Sequence, residues 1–212
     1  MFEVEYKGAN AVVLTTKKTR VVFDPKLSLF GCKDVSVKDS VEVVTEERFS
    51  VGDSVHKVFF DRPGEYEVGD VSITGIAARR HVDTENEDCG TTIYKLAIGG
   101  IKGVLLGNIQ PKLSDEQLET IGVVDFVVVP VGGGGYTLDP TAAAAVVRQL
   151  DPKAVIPVHY SDPAISYDMP QAGVDEFIKE LGTSVIEVGS KWKVKKLTDI
   201  PESQSVINIA RS

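Results

Sequence analysis

Histidine and cysteine are scarce in this chain, and their scarcity excludes several kinds of metal and redox site. Only three histidines (His56, His81 and His159) and two cysteines (Cys32 and Cys89) occur in 212 residues. The cysteines form no CxxC pair, which excludes a cysteine-rich zinc module. So few, widely spaced cysteines are typical of a reducing compartment, and we expect a cytoplasmic protein with inert thiols.

Positive charge and long apolar runs are also lacking. The chain has 23 Lys and Arg against 31 Asp and Glu, a formal net charge of -8. Because nucleic-acid binding needs a basic face, we expect no nucleic-acid partner. No apolar run reaches the length of a membrane span and the amino terminus has no signal-peptide core, so we expect no membrane partner. GxSxG, HExxH and P-loop spacings are absent as well.

The first hundred residues have the alternation and turn punctuation of short strands. Such patterns predict strands at 2–6, 11–14, 20–23, 41–44, 57–60, 65–68, 71–75 and 91–97. The second half alternates strands with helices, and no repeat, linker or composition break interrupts it. We therefore predict a single domain spanning residues 1–212, of the α/β or α+β class.

Three apolar runs in the second half predict neighbouring parallel strands buried on both faces. Residues 103–106 lead to Asn108, residues 123–130 lead to the glycines at 132–135, and residues 154–158 lead to His159. Ligands of such sheets gather beyond the carboxyl ends of the strands. The sequence therefore places a candidate site at these three strand ends.

Helix signals are clear between and after these strands. Ser114 with Gln117 forms a capping box, and Asp139 followed by Pro140 begins a second helix up to residue 150. A third helix is predicted at 174–181, and closing strands at 184–188 and 191–194. For the tail from about residue 200, with its weak periodicity, we expect either mobility or an added edge strand.

The three histidines differ in what their positions predict. His159 at a strand mouth could ligate a metal or shuttle protons, or it could simply be hydrogen-bonded at a strand end. His81 and the arginines before it are expected in a surface loop, and His56 on a surface-facing strand position. The glycines at 132–135 lack the Lys and Ser/Thr of a phosphate loop and are expected to let the chain pass close to a neighbour.

Several short motifs, in their order and spacing, resemble the metallo-β-lactamase-fold hydrolases, and specifically the branch that includes ascorbate-6-phosphate lactonase-like proteins. The motifs lie at residues 21–25 (VVFDP), 63–67 (PGEYE), 90–94 (GTTIY), 106–108 (LGN), 113–117 (LSDEQ), 129–133 (VPVGG) and 156–160 (IPVHY). The resemblance covers roughly residues 8–160. It implies a four-layer αββα sandwich with its site along one edge.

The resemblance also implies a ligand set that this chain has mostly replaced. Metal-binding members carry Thr-His-x-His-x-Asp-His after the strand at 41–44, where this chain has residues 45–51, TEERFSV. The four ligand positions hold Glu46, Arg48, Ser50 and Val51. Asn108 stands where the family has its bridging aspartate.

Two of the implied ligands are unchanged, namely His81 and His159. A dinuclear centre needs anionic and imidazole ligands to offset the repulsion between two cations, and a guanidinium supplies a fixed positive charge instead. The remnant site therefore comprises Glu46, Arg48, Ser50, His81, Asn108 and His159. We expect no metal cofactor; the alternative is one zinc or manganese ion on His81, His159 and Glu46.

Three hypotheses for function follow. The preferred one is a pseudo-hydrolase without the dinuclear metal site, in which Glu46 and Arg48 pair and the cleft binds a small anion or a protein partner. The second is an active metal-dependent hydrolase of a lactone or phosphoester with a reduced mononuclear site. The third is an interaction protein or homo-oligomer that uses the sheet surface and the tail. No catalytic residue is assigned from the sequence.

Overall fold

Two β-sheets form the centre of the protein, as seen in a computed structural model that describes residues 1–52, 56–81 and 90–212. The first sheet has the strand order β13-β1-β2-β3-β4-β5 and the second the order β12-β14-β11-β10-β9-β8-β7-β6. The strands are β1 Phe2–Gly8, β2 Ala11–Thr15, β3 Arg20–Phe23, β4 Val41–Val43, β5 Val58–Phe60, β6 Gly64–Val68, β7 Val71–Arg79, β8 Gly90–Ile98, β9 Ile101–Leu105, β10 Phe126–Pro130, β11 Ala154–Val158, β12 Ser184–Glu187, β13 Trp192–Val194 and β14 Ser205–Asn208.

The inner faces of the two sheets pack on each other and form the main core. Alternate residues of β1, such as Val4 and Tyr6, point into this core, as the alternation of its sequence predicts. From the second sheet, Tyr94 and Phe126 contribute large side chains that are fully buried. Burial of this apolar surface between the sheets supplies the main driving force for the fold.

Among the described residues, three α-helices cover the outer face of the eight-stranded sheet: α1 Asp115–Ile121, α2 Pro140–Leu150 and α3 Val174–Leu181. The predicted caps are confirmed, because the Ser114 side chain accepts from the backbone N–H of Gln117, and Asp139 accepts from that of Ala142. Over the six-stranded sheet, the described residues form loops and short 3₁₀ turns, one of them at Leu27–Phe30. Within the described part of the chain, no helix is both long and apolar enough to cross a membrane.

The three predicted core strands are parallel neighbours. β9, β10 and β11 lie side by side, with Phe126 paired to Gly103 on one side and Ala154 on the other. In the other sheet, β3, β4 and β5 are also parallel. The carboxyl ends of β4, β9 and β11 lead to Glu46, Asn108 and His159, which come together at one edge of the sandwich.

The carboxyl-terminal segment corrects one expectation. It contributes β14, which lies between β11 and β12 and is therefore an interior strand, not an edge strand or a loose tail. Val206 packs against the helices and Ile207 against the other sheet, so both faces of this short strand are buried. Cys32 is a free thiol within this fold, and Cys89 lies outside the described residues.

Candidate functional site

The candidate site begins with a tight turn after β4. Thr45 donates two hydrogen bonds to the buried carboxyl group of Asp24, from its backbone N–H (2.7 Å) and from its hydroxyl (2.7 Å). Its carbonyl oxygen accepts from the backbone N–H of Thr92 (2.9 Å), which connects the turn to the other sheet. Burial raises the pKa of Asp24 to about 7, although the two donors from Thr45 act in the opposite direction.

One glycine permits this turn to approach the neighbouring strand end. Gly107 has φ +60°, and a Cβ at this position would lie 2.8 Å from the Cβ of Thr45. Only a residue without a side chain fits both the backbone conformation and the space. The close approach places Asn108 directly beside Glu46.

Four donor groups surround the buried carboxylate of Glu46. Arg48 binds it in a bidentate manner, with Nε 2.9 Å from Oε2 and Nη2 3.2 Å from Oε1. Arg80 Nη1 lies 3.2 Å from Oε2, and Asn108 Nδ2 donates to Oε1 at 2.9 Å. The predicted pairing of Glu46 with Arg48 is confirmed. Arg80, expected as a solvated loop residue, instead takes part in this network, because the end of β7 faces the turn.

A chain of two amides connects Glu46 to His159. Asn108 donates to Glu46, so its Oδ1 is free to accept from Asn10 Nδ2 at 2.9 Å. Asn10 Oδ1 then lies 3.0 Å from His159 Nδ1. Since an amide oxygen can only accept, His159 must carry its proton on Nδ1, which leaves Nε2 as an acceptor.

His159 is held among aromatic rings. It stacks on Tyr167 with ring centroids 5.0 Å apart, and the edge contact with Phe30 is 5.8 Å between centroids. The residue is 3% exposed and has φ +51°, and its backbone N–H donates to the carbonyl of Ala9. Burial, together with the charge of Arg48, lowers the pKa of His159 to about 3. The imidazole is therefore neutral at physiological pH.

Arg48 lines two cavities. The smaller, with a volume of about 40 Å³, is lined by Phe30, Arg48, Phe49, Asn108, Tyr136, His159, Tyr167, Asp168, Met169 and Gln171. The larger, about 440 Å³, has Glu46, Arg48, Arg62, Arg80 and Thr91 among its lining residues. Arg48 is thus shared by both cavities, whereas Glu46 lines the larger one.

The remaining residues of the predicted site lie at its margin. The backbone N–H of His81 donates to the carbonyl of Asn108 (2.8 Å), but His81 lines neither cavity. Burial lowers the pKa of His81, and Asp139 acts against this shift. The Ser50 hydroxyl accepts from the backbone N–H of Gly52 (3.0 Å), which is a local turn contact. Among the residues that the structure describes, no three His, Cys, Asp or Glu side chains come together as a metal-ligand group.

Sequence reasoning missed Asn10, the residue that links the two halves of the network. Its position in the turn between β1 and β2 is typical of asparagine in any turn. His56, expected at a surface-facing position, is 24% exposed, and its Nδ1 lies 3.1 Å from the buried carboxylate of Glu42, a contact that the sequence did not predict. The glycine loop at 132–135 packs as expected, since a Cβ on Gly132 would overlap the backbone carbonyl of His159.

Residues 3–159 match the family described as the Beta-lactamase superfamily domain. The chain belongs to this family and has the metallo-β-lactamase fold. It is 27% identical over 195 residues to a UPF0173 metal-dependent hydrolase of Thermus thermophilus, covering 76% of this chain and 84% of that protein. A further such protein, from Bacillus licheniformis, is 26% identical over 91% of this chain and 100% of its own length. A shorter match, to a protein of Sulfurisphaera tokodaii, is 36% identical over 31% of this chain and 29% of that protein.

Solved structures agree on the fold. A protein of Thermotoga maritima described as a Zn-dependent hydrolase of the metallo-β-lactamase superfamily superposes with a TM-score of 0.76, at 23% identity, over 99% of this chain and 98% of that chain. The metallo-β-lactamase-fold protein YhfI of Bacillus subtilis gives a TM-score of 0.61 at 11% identity, over 100% of this chain and 98% of that chain.

Proposed function

We propose that this chain is a pseudo-hydrolase, in which a buried network of protein charges and amides replaces the dinuclear metal centre and the cleft binds a small anion. The observation that carries the proposal is the carboxylate of Glu46, whose oxygens are both engaged by protein donors. Arg48, Arg80 and Asn108 supply these contacts at 2.9–3.2 Å. A divalent cation at Glu46 would have to displace at least one of them.

The donors at the site do not fit a pair of divalent cations. The side chain of Arg48 stands at an implied ligand position and carries a charge that it cannot lose in a protein. Asn108 offers a neutral amide where a bridging ligand would have to be anionic, and its oxygen already accepts from Asn10. His159 keeps one lone pair, on Nε2, which is too little for a closed ligand set.

The same network gives a reason for the site to persist without metal. A buried carboxylate without cations or hydrogen-bond donors would be costly, and here each member of the network satisfies the next. The positive end of the network, Arg48, lines both cavities. This supports binding of an anionic small molecule, with a protein partner as the other candidate from the sequence.

A working mononuclear hydrolase is the second candidate, favoured by the description of the relatives as metal-dependent hydrolases and by the free lone pair of His159. In that case His81, His159 and Glu46 would hold one zinc or manganese ion. Its chemistry would be activation of water toward a lactone or phosphoester.

Metal analysis separates the two candidates. Protein purified without chelator is expected to contain well below one equivalent of zinc or manganese and to hydrolyse neither lactones nor phosphodiesters. Tightly held stoichiometric metal that disappears in a His81→Ala/His159→Ala double variant would overturn the proposal.

A restored variant provides the matched control. Glu46→His, Arg48→His, Ser50→Asp, Val51→His and Asn108→Asp together recreate the ligand pattern that the family resemblance implies. We expect this variant to bind zinc with a stoichiometry that the natural sequence does not reach. Comparing the zinc stoichiometry of the natural and restored proteins tests whether the five substituted residues prevent metal binding, because both proteins share one fold.

A further inference from the structure

The edge strands of the two sheets differ in how well they resist pairing with another chain. In the described topology these are β13 and β5 in the six-stranded sheet, and β12 and β6 in the eight-stranded sheet. An edge strand offers unpaired N–H and C=O groups, which proteins protect with charge, proline, shortness or cover. β13 carries Lys193, and β6 follows Pro63 and exposes Glu65 and Glu67. β5 has only three residues, all of them half-buried.

β12 lacks this protection. All four of its residues are exposed, and two of them are apolar, with Val185 38% and Ile186 39% exposed. Neither proline nor lysine occurs in its sequence, SVIE. The one charge belongs to Glu187, whose carboxylate accepts from Asn208 Nδ2 at 2.9 and 3.0 Å. Within the described residues β12 pairs only with β14, so its other side is an open edge.

The pairing with β14 determines which backbone groups of β12 point outward. The backbone N–H of Val188 donates to the carbonyl of Asn208 in β14 at 3.2 Å. Because the backbone groups of successive residues in a strand point to opposite sides, those of Ile186 face β14 like those of Val188. The N–H and C=O groups of Val185 and Glu187 therefore point away from the sheet.

We propose that β12 is a self-association edge, which pairs antiparallel with β12 of a second copy of this chain about a two-fold axis at Ile186. In that register the outward groups of Val185 exchange backbone hydrogen bonds with those of Glu187 in the second copy, on both sides of the axis. Ile186 lies opposite Ile186 of the second copy, in the closer kind of cross-strand pair. A two-fold contact is closed, so the assembly is a dimer.

Charge favours a second copy as the occupant of this edge. In the β12 register Glu187 lies opposite Val185, so no like charges meet. Self-pairing of β6 would instead bring Glu65 and Glu67 opposite the same glutamates, and self-pairing of β13 would set Lys193 opposite another Lys193. Like charges directly opposite each other destabilise a strand pair. The dimer requires nothing of the cleft, so it is independent of the pseudo-hydrolase proposal.

Sedimentation equilibrium of the whole protein at increasing concentration tests the proposal. A four-residue strand contact is small beside the roughly 1,200–2,000 Å² that stable interfaces bury, so association is expected only toward about 1 mM protein. The average mass should rise toward that of a dimer. Each copy carries a net charge of -8, so NaCl should strengthen association by screening the repulsion. A constant monomer mass, or species larger than a dimer, would overturn the proposal.

Two substitutions at the edge have a matched control elsewhere. Val185→Pro removes an outward N–H, a loss that an edge strand tolerates, and Ile186→Lys sets two ammonium groups opposite each other at the axis. Each should raise the dissociation constant of the dimer about tenfold or more. Val123→Lys, at a valine that is 85% exposed outside β12, should leave the constant unchanged. Unchanged constants in both edge variants would contradict the role of β12.

Amide hydrogen exchange of the natural protein needs no variant to fold. The backbone N–H groups of Val185 and Glu187 should exchange more slowly at high protein concentration, because they are bonded only in the dimer. The N–H of Ile186 faces β14, so its exchange should not depend on concentration. Concentration-dependent protection confined to another edge strand would overturn the assignment to β12.

Discussion

Asp24 and Glu46 are buried carboxyl groups on either side of Thr45, and the groups that contact them differ in kind. Asp24, 3% exposed, accepts its hydrogen bonds from the neutral donors of Thr45. Glu46, 4% exposed, is bound by two guanidinium groups and an amide. Burial raises the pKa of Asp24 to about 7 although Thr45 donates to it, whereas Glu46 is paired with permanent cations. Two equally buried carboxyl groups thus differ in the charge of the groups that contact them.

The largest expected effect concerns the pH dependence that Asp24 imposes on stability. Burial raises the pKa of Asp24 to about 7 in the folded protein, so the fold favours the protonated carboxyl group. The contribution of Asp24 to the free energy of unfolding is therefore fully present below pH 4 and is lost as pH rises toward 7. The free energy of unfolding should fall by on the order of 4 kcal/mol across this range from this group alone. Asparagine tolerates the positive φ of this position, so the Asp24→Asn variant should remove the slope.

Denaturant unfolding at several pH values between 4 and 8 measures this difference. The slope of the natural protein minus that of Asp24→Asn isolates Asp24 from the other titrating groups. Parallel stability curves for the two proteins would contradict the assigned role of burial.

The next largest effect is expected from removing the charge pairs of Glu46. Glu46→Ala leaves Arg48 and Arg80 without their shared carboxylate, and loss of one partner of a buried pair costs about 3–5 kcal/mol. Since the two arginine side chains are 44% and 29% exposed, we expect about 3 kcal/mol, read from chemical unfolding at pH 7. Glu47→Ala is the matched control, because Glu47 is exposed on the same turn. Equal losses in the two variants would contradict the importance of the network.

Glu42 is a third buried carboxylate, and the groups around it are intermediate in kind between those around Asp24 and those around Glu46. Glu42 accepts from the backbone N–H of Val51 (3.0 Å) and faces His56 Nδ1 (3.1 Å), with no exposed side-chain area. Glu42→Gln keeps the shape but removes the charge, and should cost about 1.5–2 kcal/mol. A double-mutant cycle with His56→Phe measures the coupling between the two side chains. A coupling energy near zero would show that the contact with His56 contributes nothing.

The smallest expected effect is at Asn10. Asn10→Ala removes the amide that connects Asn108 to His159 and should cost about 1 kcal/mol. Its more specific consequence is on the tautomer of His159, which should change from pure Nδ1–H to a mixture in ¹⁵N NMR spectra. Asn208→Ala, which removes an exposed side-chain contact to Glu187, should leave the tautomer unchanged. An unaltered tautomer in Asn10→Ala would contradict the proposed relay.

The sequence predicted most of the fold because its local signals and tertiary structure agree. The capping box at Ser114, the Asp139–Pro140 helix start and the parallel strands β9, β10 and β11 are confirmed. β14 was not predicted as an interior strand, because four residues with no alternation carry little signal. Its burial on both faces arises from partners, β11 and β12, that are distant in sequence.

The site was also predictable only in part, because some of its contacts join residues that are distant in sequence. The ends of β9 and β11 located Asn108 and His159, since parallel strands bring their carboxyl ends to one edge. Asn10 lies 98 residues from Asn108 and 149 from His159, and no local pattern joins residues so far apart. The role of Arg80 likewise depends on where β7 ends relative to β4, which is a property of the folded sandwich.

The position of β14 has a consequence for the order of assembly during synthesis. In the described topology, β12 leaves the ribosome before β14 but pairs with the rest of its sheet only through β14. Until residues 205–208 emerge, β12 has no neighbour to bind, and the edge of β11 stays uncovered. Pairing of β14 with β11 and β12 thus completes the described sheet, so a nascent chain that stalls before β14 presents an unpaired strand edge prone to association with other chains.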